Sequence, residues 1–561
     1  MIDALPPGLI LILGGVLLPV LPAWARAPWM LALPLLTLAA IWNVPLDASI
    51  RLEFLGFFLE PLQGGALARL FGTVFALMSF AGTLFALTQP RVTELAAALV
   101  YAGGAVGCAF SADLISLFVF WEIMAVASTV VLWSSDQPGA GKAGLRYAVL
   151  HLLGGAVLMA GIAGHAVSTG SIVLTALSLD SPASWLILGG VLLNAGAPPL
   201  SAWVADAYPE ASYSGMVFLS AFTTKTAVLV LLKAFAGAEV LIWVGLFMVF
   251  YGILYALLEN DMRRILAYSI VNQVGFMVCG IGIGTEMALN GAASHAFAHI
   301  LYKGLLLMSA GAVLMMTGRR TCTDLGGLYR SMPITTTCGI IGALAISAFP
   351  LTSGFVSKSM VGEGALGEHL VWVWVALQAA SAGVFLHAGI KYPWFVFFQK
   401  DSGLRPADPP LPLRLAMILL AVLCVAIGIW PSALYSLLPY PVAYEPYTPA
   451  HVVTQLQLLL FAGLAFFVLL PLMKRTRTVS LDVDWLYRWL GPRLAKALWR
   501  AWEQAGAGLE RWTAAVGAAV APGLRHSHGP LGLLGRGWPT SLSVVLVLGL
   551  LALALLLGYE R

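Results

Sequence analysis

Charge is what this chain has least of. Charged side chains make up 10% of its 561 residues, while hydrophobic ones make up 60%. A soluble domain carries about 25% charged residues, so this composition cannot cover a water-facing surface. No polar block is long enough to form a soluble domain of its own. Cysteine is scarce as well. The five (Cys108, Cys279, Cys322, Cys338 and Cys424) form no CxxC pair and fall mostly in apolar runs, which reads as buried free thiols. No basic run stands out in a chain of net charge +4, which sets nucleic acid aside as a partner. Residues 8–22 are apolar but lack a basic flank and a small-residue cleavage site, so they read as a first membrane span and not a signal peptide.

What is present is a succession of apolar windows. A spanning helix needs ~20 largely apolar residues. That rule picks out 5–22, 28–44, 66–88, 92–111, 113–133, 144–167, 184–203, 213–236, 240–258, 264–284, 290–316, 333–358, 370–398, 411–431, 452–472 and 540–558, about sixteen spans. The expected fold is therefore an all-α polytopic membrane protein, since backbone groups in lipid must bond internally. Arg26, Arg91, Lys142, Arg146, Arg263, Arg264, Arg319, Arg320, Arg330, Lys400, Arg405, Lys474, Arg475 and Arg477 fall in or beside odd-numbered loops. Asp47, Glu53, Glu60, Asp180, Glu239, Glu286, Glu368 and Glu445 fall in even ones. Basic loops stay cytoplasmic, which places the N-terminus outside. Asp206 and Glu210 break the pattern. Arg263 and Arg264 read as a cytoplasmic anchor.

Two spans carry internal breakers: Asn194-Ala-Gly-Ala-Pro198-Pro199-Leu-Ser-Ala-Trp203 and Ser347-Ala-Phe-Pro350-Leu-Thr-Ser-Gly354. Proline removes a donor and clashes with the preceding turn, so both helices should break near mid-depth. Interrupted helices at corresponding places in two halves are the mark of a transporter built from inverted repeats. Residues 481–525 read differently, as an amphipathic helix lying in the interface plane. Arg493, Lys496, Arg500 and Glu503 lie on one side, and Leu494, Leu498, Trp499 and Trp502 on the other. Gly491-Pro492 is expected to start or kink it, and Pro522–Gly537 to link it to the last span.

An ionisable side chain at bilayer centre costs at least ~2.5–3.5 kcal/mol, so each one is a functional candidate. Four groups qualify. Glu122 lies mid-span in Phe-Val-Phe-Trp-Glu122-Ile-Met and can accept and release protons. Lys225, in Thr224-Lys225-Thr, lies too deep to snorkel. His295, His299 and Lys303 recur at i, i+4 and i+8, so they share one helix face. Imidazole carries protons in either direction near neutral pH. Zinc on His295 and His299 lacks a completing ligand at suitable spacing, so no metal is expected. Lys358 follows the second break, where freed carbonyls can hold a cation. Joined by water, these side chains could form a proton wire parallel to the membrane.

These same residues carry a family resemblance. Phe-Trp-Glu122, Pro199-Leu-Ser-Ala-Trp203-Val-Ala-Asp206-Ala, Thr224-Lys225, Asp261-Met-Arg-Arg-Ile-Leu-Ala-Tyr268-Ser, His295-xxx-His299-xxx-Lys303 and Gly354-Phe-Val-Ser-Lys358 resemble the antiporter-like proteins. That group is shared by Mrp-type sodium/proton antiporters, in particular their D-type component, and the membrane arm of proton-pumping NADH–quinone oxidoreductase. The similarity runs from about residue 90 to 400. It implies that Glu122, Lys225, His295, His299, Lys303 and Lys358 form the proton path. It also implies two inverted five-helix repeats, 89–236 and 237–400. They would be flanked by N-terminal spans (1–88), additional spans (401–480), a lateral helix (481–525), and a linker with a final span (526–561). The family's lysine in the first broken helix is replaced here by Asn194, which deprives Glu122 of its usual cation. His151 is an auxiliary candidate if it faces Glu122.

The resulting expectation is a proton-translocating subunit of a multi-subunit cation/proton antiporter in the cell's inner (plasma) membrane. Its partners would be other membrane subunits and the lipid bilayer, with protons as cargo and sodium a candidate counter-ion. The alternatives are a membrane-arm subunit of a respiratory or hydrogenase-type redox complex and a structural subunit whose wire is dead. No cofactor is expected. Gly280-Ile-Gly282-Ile-Gly284 lies within a span and lacks the strand–helix context of a dinucleotide site.

Overall fold

The computed structural model describes residues 5–472, 475, 476, 481–529, 532, 535 and 537–559. Lys474 and Arg477, two of the basic loop residues, lie outside them, as do parts of the linker before the last span. The chain divides into two units, Met1–Asp484 and Trp485–Arg561.

The first unit opens with α1 (Gly8–Leu17) and α2 (Ala23–Asn43), then a β-hairpin, β1 (Ser49–Phe54) with β2 (Phe57–Gln63). There follow α3 (Ala66–Phe85), α4 (Val92–Phe110), α5 (Leu114–Trp133), α6 (Ala140–Thr169), α7 (Pro182–Ala195), α8 (Trp203–Ala207), α9 (Gly215–Ala221) and α10 (Thr223–Ala234). After these come α11 (Val240–Leu258), α12 (Met262–Ile283), α13 (Glu286–Thr317), α14 (Pro333–Ile346), α15 (Ser353–Gly367) and α16 (Val371–Val384), which continues as π-helical turns at Phe385–Lys391 and Trp394–Phe398. The unit closes with α17 (Leu411–Ile429), α18 (Ser432–Tyr435) and α19 (Pro449–Val468). Among the described residues of both units, thirteen helices are long and apolar enough to cross a membrane. Shorter apolar helices lie at Gly8–Val20, Pro182–Ala195 and Pro333–Ile346, inside predicted spans. The protein is a multi-pass, mostly helical membrane protein; the hairpin between the second and third spans departs from an all-helical reading.

Both predicted breaks occur. α7 stops at Ala195, and the chain passes through Gly196 in the left-handed region and a cis Pro198–Pro199 bond before α8. α14 stops at Ile346, and Ala348 and Leu351 adopt positive φ (55° and 69°) before α15 starts. Such strain in residues other than glycine costs ~1–3 kcal/mol each and tends to gather at functional sites. Gly354 belongs to the same turn: a β-carbon there would come within 1.9 Å of the Ala345 carbonyl oxygen. A third interruption was not expected. The span 213–236 breaks at Phe222, between α9 and α10.

Paired features recur at one fixed sequence interval. Asp113 caps α5 and bridges Val173; Asp261 caps α12 and bridges Thr321. Gly170 ends α6 and Gly318 ends α13, both left-handed. Two lysines play matching parts. Lys233 donates to the carbonyls of Ala109 and Ser111, which close α4. Lys391 donates to those of Ala256, Leu257 and Glu259, which close α11. The carbonyls keep the interval, and the second lysine stands further along the chain than the interval would put it.

Asp206 and Glu210, the exceptions to the charge pattern, are neutralised locally. Asp206 takes both arms of Arg146 at 2.6 Å, and Glu210 pairs with Arg320 at 2.9 Å. Arg263 is no surface anchor. It is buried and donates to the carbonyls of Pro209, Ala211 and Ser212.

In the second unit, α20 (Asp484–His528) runs without interruption through Pro492 and Pro522, and α21 (Thr540–Tyr559) follows. Pro522 therefore lies inside the helix and not in a linker. The predicted division of its faces also needs correcting: Trp499 donates to Glu503 at 2.6 Å, so these two share a side.

Candidate functional site

The middle of the first unit holds most of the predicted basic residues together. Lys225, His295, His299 and Lys303 are wholly buried, and Lys358 is 5% exposed. The break at Phe222 explains how Lys225 is held. It frees the Ser220 carbonyl, which accepts from Lys225 Nζ at 2.7 Å, while Thr224 Oγ1 accepts at 3.0 Å. Tyr101 braces the same break, its hydroxyl 2.5 Å from Thr223 Oγ1 and accepting from the Thr223 N–H.

On α13 the i, i+4, i+8 spacing places His295, His299 and Lys303 along one face, as expected. Lys303 Nζ donates to Ser269 Oγ at 2.8 Å. His295 lies between Ser357 Oγ (Nδ1, 3.1 Å) and Gln273 Oε1 (Nε2, 3.1 Å), and the Tyr302 hydroxyl also donates to Gln273 Oε1. His299 is packed edge-on against Tyr302, and neither ring nitrogen has a protein partner. Lys358 departs from expectation. Its ammonium does not bond the carbonyls freed by the break; it stands 4.2 Å over the Phe276 ring without a hydrogen-bonding partner.

These groups lie within electrostatic reach of one another in succession. Lys225 is near Lys303 and His299, His299 is near Lys303 and His295, and His295 is near Lys225 and Lys358. No carboxylate is in reach of any of them among the described residues. Two unit charges ~6 Å apart at an effective dielectric of ~20 repel by roughly 3 kcal/mol. Water-free, these sites cannot all be cationic at once, so a proton gained by one weakens the hold of the next.

Glu122 and His151 stand outside the electrostatic reach of these groups. Glu122 is half-buried on an apolar groove with Ile12, Val100 and Val119, and its Oε1 has no protein partner. No ionisable group among the described residues lies within its electrostatic reach. His151 does not bond it. The imidazole Nδ1 is paired with the Tyr147 carbonyl at 3.0 Å, and the ring stacks on Tyr147 and meets Trp203 edge-on. The unbonded atoms here, His151 Nε2 and Asn194 Oδ1, are buried.

Gly155, one turn beyond His151, is the wall of the Glu122 site: a β-carbon there would come within 2.1 Å of Glu122 Oε1. Gly155→Ala should therefore displace the carboxyl. If Glu122 handles protons, the substitution lowers transport in reconstituted vesicles to the level of Glu122→Gln, and adding it to Glu122→Gln lowers transport no further. Additive losses would show that Gly155 serves packing only.

Sequence reasoning missed His387. It is wholly buried in the π-helical turns, with Nδ1 on the Gly383 carbonyl, and lies in reach of Lys303, Lys391 and Lys358. Its place near the end of a long apolar window was the only available signal.

Comparison with known proteins bears on the family and the fold. Residues 111–383 match the family model described as NADH:quinone oxidoreductase/Mrp antiporter, TM. The N subunit of the NADH-quinone oxidoreductase of Desulforudis audaxviator is 30% identical over 347 residues, covering 58% of this chain and 69% of that protein. The D component of the Na(+)/H(+) antiporter of Alkalihalophilus pseudofirmus is 28% identical over 348 residues, 58% of this chain and 70% of its own. One chain of the Mrp complex from Dietzia sp. shares the fold with a TM-score of 0.68 at 21% identity, covering 80% of this chain and 98% of that one.

Proposed function

We propose, from the premise that the chain belongs to the NADH:quinone oxidoreductase/Mrp antiporter transmembrane family, that it is the proton-translocating subunit of a multi-subunit cation/proton antiporter. One observation carries the reading: five buried basic side chains in reach of one another in succession, with no carboxylate among them in the described residues. A merely structural role would pair such groups with acids or replace them with apolar residues. Protons pass between Lys225, Lys303, His299, His295 and Lys358, each arrival repelling the proton ahead by about 3 kcal/mol, roughly a hundredfold in occupancy. Glu122, His151 and Asn194 form the end that receives or delivers protons from a neighbouring subunit or lipid-side water, without the lysine the family usually has there.

The fixed interval between paired caps and bridges, together with the matching lysine staples, supports two repeats, 89–236 and 237–400, of opposite topology. The plasma membrane, an external N-terminus, partner membrane subunits and exchange against sodium or another monovalent cation belong to the same reading. A membrane-arm role in a redox complex is the second reading, favoured by the likeness to the quinone-reductase N subunit. Subunits recovered with a tag on this chain separate the two.

The test is proton flux in vesicles containing that purified complex. Lys358→Ala should lower flux by about 10²-fold, the low end of what a positioned proton-transfer group contributes. Glu122→Gln should cost less, because Glu122 stands outside the cluster. Unchanged flux in both Lys358→Ala and Lys225→Ala would sink the proposal and leave a scaffold.

A further inference from the structure

Lys358 borders a small cavity on the side of α16 and α19. The cavity measures about 30 Å³, and a water needs only ~10–15 Å³ by this measure, so there is room for one or two. Its polar lining comes from Lys358 and Ser359 on α15, Gln378 and Ser381 on α16, and His451 and Gln455 on α19. A site needs polar partners as well as room to hold water, and this one offers six polar side chains, including an ammonium that no protein atom satisfies.

Two of the six come from α19, outside the region the family model matches. Gln455 ties α19 to the second break by donating to the Ser347 carbonyl at 3.2 Å. His451, one turn earlier, lies in the first turn of α19 and is partly exposed. Its ring stacks on Phe355 of α15 at 4.5 Å between centroids, and its Nδ1 is 2.7 Å from the Pro446 carbonyl oxygen. A carbonyl can only accept, so Nδ1 carries the hydrogen, and in the neutral ring Nε2 is left with its lone pair. The stack and the carbonyl together fix both the ring plane and the tautomer. His451 directly follows the loop that carries Glu445, one of the acidic loops whose charge pattern marks the face expected to be external.

Resting on the reading of the chain as a proton conductor, we propose that His451 is the relay through which Lys358 exchanges protons with that face. The Lys358 ammonium gives a proton to a water in the cavity, and the water passes one to His451 Nε2. This leaves neutral lysine and an imidazolium, which releases its proton to bulk water at the surface. Uptake follows the same steps in reverse. The auxiliary helix α19, which neither repeat contains, supplies the outer end of the path.

The experiment uses the complex carrying His451→Ala or His451→Phe, reconstituted in vesicles, with imidazole as the probe. His451→Ala opens space where the ring stood, and His451→Phe keeps the stack on Phe355 without a titrating group. Both should lower proton flux by about 10-fold or more, less than the roughly 10²-fold of a direct transfer group, because water bridges the step. Imidazole added at millimolar concentration should restore flux in His451→Ala and not in His451→Phe, where the ring fills the site. Unchanged flux in His451→Phe, or a loss in His451→Ala that imidazole does not restore, overturns the relay. Lys225→Ala keeps the two proposals apart. If it abolishes flux while His451→Phe does not, conduction stands and the relay falls; if neither variant matters, both fall.

Discussion

Lys225→Met should abolish proton flux, with a loss of roughly 10²-fold or more, while the complex still assembles. Methionine matches the length and flexibility of the lysine stem, so the packing of α10 against its neighbours survives. What is lost is the ammonium, its bonds to the Ser220 carbonyl and Thr224, and its charge beside His299 and Lys303. The cluster then has no member at its α10 end, and the repulsion that drives a proton onward is gone. Stability is expected to change little. Removing a buried ammonium relieves a desolvation cost, which offsets the one carbonyl left unbonded. Lys225→Arg is the sharper companion. Arginine holds its proton at all physiological pH, so it restores the charge but not the exchange. Flux that returned with arginine would mean Lys225 acts as a fixed charge and not as a carrier. The measurements are dye-reported acidification of vesicles and the yield of complex on size exclusion.

The features that made this site legible in the sequence are those hydrocarbon punishes. A lysine or histidine in an apolar window has no cheap explanation, so Lys225, His295, His299, Lys303 and Lys358 could be picked without any structure. The proline-bearing breaks at 198–199 and 350 were legible for a similar reason, because proline disrupts a helix whatever surrounds it. The break at Phe222 has no such signal. The backbone groups it frees are taken by the Lys225 ammonium and the Tyr101 hydroxyl, and Tyr101 is distant in sequence. His387 lies in the apolar window 370–398 and met the same criterion, but it belongs to none of the quoted motifs. The hairpin at 49–63 escaped because a window of ~20 residues tuned to spans is blind to strands of six and seven. In the second unit, Pro522 was read as an end, yet the helix continues past it. Alanine-rich flanking turns have enough intrinsic helicity to tolerate one missing bond.

The features paired at one fixed interval also bear on the site's asymmetry. His151 and His299 stand at the interval that relates the caps of α5 and α12, and so do Gly155 and Lys303. The helix face that carries His295, His299 and Lys303 on α13 therefore carries Tyr147, His151 and Gly155 on α6. The glycine makes room for Glu122, which the α13 side does not have. On the proposed reading, Glu122 is the lone carboxyl of the path, and Lys225, His295, His299, Lys303 and Lys358 are its basic part.

The largest loss of stability is expected at Arg263. The guanidinium is 1% exposed and satisfies three main-chain carbonyls of the turn between α8 and α9: Pro209 at 2.9 Å, Ala211 at 2.8 Å and Ser212 at 2.7 Å. Arg320 reaches only the first of these, at 3.2 Å. Arg263→Met fills the same volume but leaves the Ala211 carbonyl without a donor and the Ser212 carbonyl with only the Met216 N–H at 3.4 Å. At ~1–3 kcal/mol for an unsatisfied group, the cost is about 1–3 kcal/mol. Arg263→Lys should recover part of it, because one ammonium can reach some of these oxygens but lacks the planar fork that serves them all. The expected order of thermal unfolding midpoints for the purified complex is therefore wild type, then Arg263→Lys, then Arg263→Met. The same turn leads directly into α9 and the Lys225 break, so residual Arg263→Met complex should also conduct poorly. Equal midpoints for wild type and Arg263→Met would show that the turn holds its shape without the arginine, and that this polar knot does not set the position of Lys225.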